Sequence, residues 1–135
     1  RSPEFSVMIG LSIGGRARLG AVLQPVQDRL YLGVVGVGAW RLEAGEVVTL
    51  DARGPAPERL RLVRSRSHPD ARLTALESAL GDTEVILSGS VGTKCARLAE
   101  GEADLYVHPV PYLREWDTCA PEAVLAGAVS GSVAR

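Results

Sequence analysis

Apolar residues alternate along the first part of the chain and then change rhythm. Val7, Ile9, Leu11 and Ile13 fall on one side of an extended segment, with Ser6, Met8, Gly10 and Ser12 on the other. That period marks a strand with one apolar face and small residues behind it. Gly14-Gly15 supplies a tight hairpin turn, and Leu19, Ala21 and Leu23 carry the alternation back as far as Pro25. Gln27-Asp28 turns the chain into Leu30, Leu32 and Val34. Trp40-Arg41-Leu42 and Val47-Val48-Thr49-Leu50 then predict a shorter edge hairpin about Ala44-Gly45. Residues 6–50 read as an antiparallel meander without a catalytic constellation, in which Trp40 is a packing anchor.

Asp51 to Glu58 carries a Gly and two Pro in a short span and reads as a linker. Beyond it, strands and helices alternate. Leu60–Arg64 predicts a strand, Ser65 to Asp70 a polar bend, and Leu73, Leu76 and Leu80 a helix closed by Gly81-Asp82. Glu84–Leu87 predicts a short buried strand. Val91, Cys95, Leu98 and Ala99 form the stripe of a second helix, ended by Gly101. Ala103–Val107 is a further strand, and residues 108–113 form an irregular loop. It delivers the chain to a last helix with Ala120, Val124 and Ala128 on one face, closing on Gly131. Pro121 is expected in the first turn of that helix, with Asp117 at or beside its N-cap. The expected fold class is α/β, a layered sandwich in which an antiparallel meander precedes an alternating strand/helix layer. Residues 1–54 supply antiparallel strands of an N-terminal sheet, and 55–135 the C-terminal α/β layer.

Composition narrows the function classes. The 135 residues are 46% hydrophobic but only 4% aromatic, so Val, Leu, Ala and Ile must build the core. Fifteen basic and sixteen acidic residues leave a net charge of -1, which offers no footprint for nucleic acid or a membrane surface. No apolar run approaches the ~20 residues that cross a bilayer, and nothing at the start reads as a signal peptide. Cys95 and Cys119 lie in helical patterns without a CxxC or His partner, which predicts reduced, buried thiols and a cytoplasmic protein. Both ends are abrupt, so the chain reads as an excerpt; its Ser-Pro-Glu-Phe start fits either a cloning scar or native sequence.

Two strand-to-helix junctions have anion-binding character. Ser65-Arg66-Ser67-His68 offers two hydroxyls, a guanidinium and an imidazole ahead of a helix. Gly89-Ser90-Val91-Gly92-Thr93-Lys94 offers small residues, exposed amides and an ammonium ahead of another. Helix N-termini favour phosphate, and in an α/β sheet such junctions converge at the carboxyl ends of the strands. Serines at these places also serve as plain caps. Asp117 has the same two readings, a cap or a metal ligand held rigid by the helix start.

The run Trp116-Asp117-Thr118-Cys119-Ala120-Pro121-Glu122, followed by Val124-Leu125, resembles the C-terminal motif of the metal-dependent, lithium-sensitive phosphatase superfamily. That superfamily contains inositol monophosphatase, fructose-1,6-bisphosphatase and 3′(2′),5′-bisphosphate nucleotidase. The Ser65–His68 bend, the Gly89–Lys94 junction and the segment from Ala99 to Tyr106 resemble the bisphosphate nucleotidase branch, over nearly the whole chain. The resemblance implies a phosphoric monoester hydrolase that releases the 3′-phosphate of 3′-phosphoadenosine 5′-phosphate, or its sulfated form. It implies Asp117 as a ligand of Mg2+, and Ser65, His68, Ser90 and Lys94 as substrate-binding residues. The implied partner is a small nucleotide.

One departure qualifies these roles. The superfamily's other metal ligands, in an Asp-Pro-x-Asp-Gly-Thr motif and an upstream glutamate, are absent from the chain; the motif is expected just ahead of Arg1. A single carboxylate does not assemble a multi-metal site, so no residue of this chain is assigned as catalytic, and the chain alone is expected to be inactive. With helices of the superfamily fold missing, the apolar face of the first sheet is expected to be exposed and open to self-association. An inositol phosphate phosphatase and a truncated, non-catalytic domain that binds nucleotide or a partner are the alternatives.

Overall fold

The computed structural model describes residues 4–66, 70–109 and 111–130. Five strands form the meander: β1 (Val7–Ile13), β2 (Arg16–Gln24), β3 (Arg29–Val34), β4 (Gly38–Glu43) and β5 (Glu46–Thr49), each antiparallel to the next. Gly14 and Gly15 both take positive φ, as the first hairpin turn demands.

Register explains which face of this sheet carries the core. Val7, Leu23, Leu30, Leu42 and Val47 line up across the strands, and Ile9, Ala21, Leu32 and Trp40 form the neighbouring row. This apolar face is open: Ile9 is 70% exposed and Val47 63%. The opposite face carries a row of minimal side chains, Gly10–Gly20–Gly33–Ala39, beside a row Met8–Val22–Tyr31–Arg41. The glycine row is a trough in which helix α3 (Glu115–Ser130) lies across β1 to β4. Ala120, Ala123, Val124, Gly127 and Ala128 are the buried small residues of α3 that make so close an approach possible. Helix α2 (Val91–Ala99) packs beside α3, and its Ala96 and Ala99 join Val22 and Tyr31 in the core.

The second sheet is parallel, in the order β7-β6-β8, with β6 (Leu60–Ser65), β7 (Thr83–Ser88) and β8 (Leu105–Tyr106). Helix α1 (Ala71–Leu80) connects β6 to β7. Helix α2 touches both β2 and β8, so the helix pair α2/α3 links the two sheets. The chain is therefore a mixed α/β assembly, an antiparallel sheet and a parallel sheet joined through helices. No described helix is long and apolar enough to cross a membrane.

Three expectations need correction. β7 is not a buried strand: it is an edge of its sheet, with Glu84, Val85 and Leu87 exposed, because β6 takes the central position. The leucine stripe of α1 buries Leu73 alone, and Leu80 is exposed. Helix α3 begins at Glu115, so Pro121 falls in the second turn rather than the first. The cysteines are unpaired, Cys95 buried and Cys119 half-buried. The end of α3 at Gly131 lies outside the described residues.

Candidate functional site

The carboxyl ends of the three parallel strands open into the three segments that the sequence singles out. Ser65 closes β6 opposite Ser88 at the end of β7, and the Arg66 amide donates to the Ser88 carbonyl at 3.2 Å. Ser65 is half-buried at this edge; His68 lies outside the described residues. The α1 N-cap is Asp70, whose Oδ1 accepts the Arg72 amide at 2.8 Å. The Arg72 guanidinium and that amide hold the Asp70 carboxyl down at about 2. The first turn of α1 thus already carries an anion of its own.

The β7–α2 junction is built differently. Ser90 is the N-cap of α2, but its hydroxyl makes no cap bond; it pairs instead with the hydroxyl of Ser6, just ahead of β1. The two peptide groups that flank the Gly89 Cα are each held. The Gly89 N–H donates to Glu4 Oε2 at 2.7 Å, and the Gly89 carbonyl accepts from Lys94 Nζ. A Cβ on Gly89 would lie 2.8 Å from the Glu4 carbonyl oxygen, so the approach requires glycine. Lys94 is 3% exposed, and its ammonium sits 5.2 Å from the Tyr106 ring centroid, a cation–π contact. Burial draws its pKa below the ordinary lysine value. The same enclosure pushes Tyr106 up to about 12, and its hydroxyl meets His108 Nδ1 at 3.2 Å.

Asp117 occupies the first turn of α3. Its Oδ2 accepts the Arg114 amide at 2.9 Å while its own amide donates to the Arg114 carbonyl, a reciprocal closure like a capping box. Pro121 has no N–H to give the Asp117 carbonyl four residues earlier. Trp116 is 74% exposed, so it does not anchor the helix. The Arg114 bond uses one carboxylate oxygen, and Asp117 Oδ1 takes no donor from the described residues. That oxygen is a hard donor of the kind Mg2+ prefers. Among the described residues, no cluster of three or more His, Cys, Asp or Glu side chains is placed to hold a metal ion, so Asp117 fits one position of such a site and no more.

Strand β1 brings the two helices together. Gly92, in the first turn of α2, lies against Ser6 and Met8, while Cys119, in α3, lies against Gly10. The first turn of α2 thus lies over the start of this edge strand, and the second turn of α3 crosses it at Gly10. At its other end α2 is fixed by Glu100, whose carboxylate accepts from Tyr31 at 3.1 Å and pairs with Arg41 at 2.5 Å.

Sequence reasoning missed Glu4, Ser6 and the packing role of Tyr106. Glu4 also meets Arg66 Nη2 at 3.1 Å, so one carboxylate touches both predicted junctions. Its partners lie 62 and 85 residues away along the chain, and no local pattern signals that. Ser6 had one clue, a hydroxyl on the face of β1 that otherwise carries Met8 and Gly10.

The family model described as "Inositol monophosphatase family" matches residues 1–132. The human 3′(2′),5′-bisphosphate nucleotidase 1 is 33% identical over 132 residues, covering 90% of this chain and 40% of the human protein. The Escherichia coli (strain K12) 3′(2′),5′-bisphosphate nucleotidase CysQ is 38% identical over 131 residues, covering 95% of this chain and 50% of that protein. The chain thus spans about half the length of these relatives, or somewhat less. Among solved structures, CysQ from Bacteroides thetaiotaomicron superposes with a TM-score of 0.80 at 31% identity, over 93% of this chain and 52% of that one. Mycobacterium tuberculosis SuhB shares the fold, with a TM-score of 0.78 at 24% identity over 93% of this chain and 53% of its own. This chain belongs to the inositol monophosphatase family.

Proposed function

We propose that these residues serve a magnesium-dependent phosphatase that removes the 3′-phosphate of 3′-phosphoadenosine 5′-phosphate, leaving AMP and phosphate. The observation that carries this reading is the β7–α2 junction, where Glu4 and Lys94 fix the two peptides that flank Gly89, next to an α2 N-terminus that the Ser90 side chain leaves uncapped. Fixed amides at a helix start favour a phosphate group. The names of the relatives, bisphosphate nucleotidases of human and bacterial origin, favour a nucleotide as its carrier.

In this reading Ser65, His68, Ser90 and Lys94 bind the nucleotide, and Asp117 supplies one carboxylate oxygen to Mg2+. The metal, when bound, contributes charge neutralisation at the reacting phosphate. Lys94 acts from beneath the loop, by fixing the Gly89 carbonyl and adding positive potential. Asp117 is oriented by its bond to the Arg114 amide.

The test is magnesium-dependent phosphate release by the intact gene product, with 3′-phosphoadenosine 5′-phosphate compared against inositol 1-phosphate. Nucleotide turnover that falls far more than inositol 1-phosphate turnover in Lys94→Ala is the expected result. Equal losses on both substrates sink the nucleotide assignment in favour of an inositol phosphate phosphatase. The 135-residue chain alone, with one such carboxylate, is expected to show no turnover.

A further inference from the structure

We propose that Glu4 is a positioning residue for the phosphate-binding loop, a strut that ties the β7–α2 junction to the β6–α1 bend. The proposal rests on the nucleotide-phosphatase reading. Its basis is the convergence of three chain segments on one carboxylate. Glu4 Oε2 accepts the Gly89 amide at 2.7 Å and the Arg66 guanidinium at 3.1 Å, and Oε1 stands 4.0 Å from Arg97 Nη2 on α2. The Glu4 side chain is 16% exposed, so these bonds form where water competes weakly.

Each tie acts next to a residue assigned to the substrate. Gly89 precedes Ser90, and Arg66 follows Ser65. An acidic side chain beside an anion-binding loop repels its ligand unless cations neutralise it, and Arg66 and Arg97 do so here. The remaining work of Glu4 is geometric. Glu4 holds the Ser88–Gly89 peptide by the Gly89 N–H and Lys94 holds the Gly89–Ser90 peptide by the Gly89 carbonyl, so both planes that flank Gly89 are fixed, and the Ser90 amide, carried by the second, is aimed in one direction. Glu4 lies two residues before Ser6 in the segment that leads into β1, and Ser6 pairs with the Ser90 hydroxyl. Two alternate positions of the segment leading into β1 thus set two successive residues of the loop.

The experiment compares the intact wild-type protein with Glu4→Ala and Glu4→Gln. Glutamine keeps an oxygen for the Gly89 amide; alanine does not. Glu4→Ala is expected to speed hydrogen exchange at the Gly89 amide about tenfold, the effect of losing one charge-assisted hydrogen bond. It is expected to raise KM for 3′-phosphoadenosine 5′-phosphate by a similar factor, with kcat, the melting temperature and inositol 1-phosphate hydrolysis little changed. Glu4→Gln should restore most of both effects. Unchanged Gly89 exchange in Glu4→Ala overturns the strut, and so does an equal rise in KM for both substrates accompanied by a lower melting temperature. If the wild-type protein does not hydrolyse the nucleotide, the underlying functional reading fails, and the substrate role of Glu4 with it. Wild-type turnover that Glu4→Ala leaves untouched fails the strut alone.

Discussion

Gly20→Ala tests the claim that a row of missing side chains sets the position of α3. A Cβ built on Gly20 would lie 2.2 Å from the Ala120 carbonyl oxygen and 2.7 Å from its Cα. Heavy atoms settle at about 3.5 Å, so the helix would have to retreat by about 1.3 Å. No side chain can rotate away, because the obstructing atoms are backbone, and the neighbouring approach at Gly33 is equally tight, 2.3 Å from Val124 Cα. Lifting α3 over Gly20 therefore loosens its contacts along the whole trough. Overpacking of this kind costs about 1–3 kcal/mol, and backbone against backbone belongs at the upper end. Alanine also restricts the unfolded chain, which returns about 0.4–1 kcal/mol. The expected net loss is about 2 kcal/mol, read as a lower urea midpoint at unchanged m-value. Gly54→Ala is the control, since nothing lies within 4 Å of its added Cβ, and it should be neutral or slightly stabilising. A Gly20→Ala midpoint indistinguishable from that of Gly54→Ala would refute the trough. Because Ala120 lies one turn from Asp117, the same variant should also lower phosphatase activity in the intact protein.

Two further predictions follow from the site. Asp117→Asn keeps an oxygen for the Arg114 amide, so it should leave stability nearly unchanged, whereas Asp117→Ala should cost about 1 kcal/mol. Both should abolish magnesium-dependent turnover, and an active Asp117→Asn protein would reduce Asp117 to a cap. Burial pushes the Cys95 thiol from 9.0 up to about 11, against the opposing pull of Lys94. Its folded value exceeds its unfolded one, so the neutral thiol's stabilisation is whole below pH 9 and is lost as pH rises from 9 to 11, by about 2 kcal/mol. Urea titrations across that range should show a shallower decline in Cys95→Ala than in the wild type, and parallel curves would disprove the assignment.

Elements with strong local punctuation were legible in the sequence. The meander follows from strict alternation cut by Gly14-Gly15 and Ala44-Gly45, and α2 follows from its stripe and the positive φ at Gly101. What escaped is long-range. Glycines at positions 10, 20 and 33 look like weak points of three separate strands until the register aligns them into one trough. The start of α3 was misplaced because proline is common in first turns, whereas the reciprocal bonds between Asp117 and Arg114 close the helix a turn earlier. β7 was misjudged for a similar reason: its composition suits a buried strand, but only the sheet order makes it an edge. Of the candidate site residues, Ser90 and Lys94 stand at the expected helix start and Asp117 inside the first turn of α3 rather than at its cap, yet Lys94 faces inward to Gly89 and Tyr106, an orientation that no sequence spacing carries.

The inner face of β1 resolves how so few residues fix so much of the site. Glu4 and Ser6 in the segment that enters β1, and Met8 and Gly10 within it, are alternate positions that meet the helix layer. Glu4 binds the Gly89 amide, Ser6 the Ser90 hydroxyl, Met8 and Ser6 flank Gly92, and Gly10 admits Cys119 of α3. A strand with a repeat of ~6.6 Å per same-face pair is a rigid ruler. The polar and small half of its alternation, which carries no chemistry of its own, spaces the first turn of α2 from the second turn of α3. Activity that depends on both a phosphate loop and a metal carboxylate depends on that spacing, so the dull side of β1 is where substitutions far from any reacting atom should register.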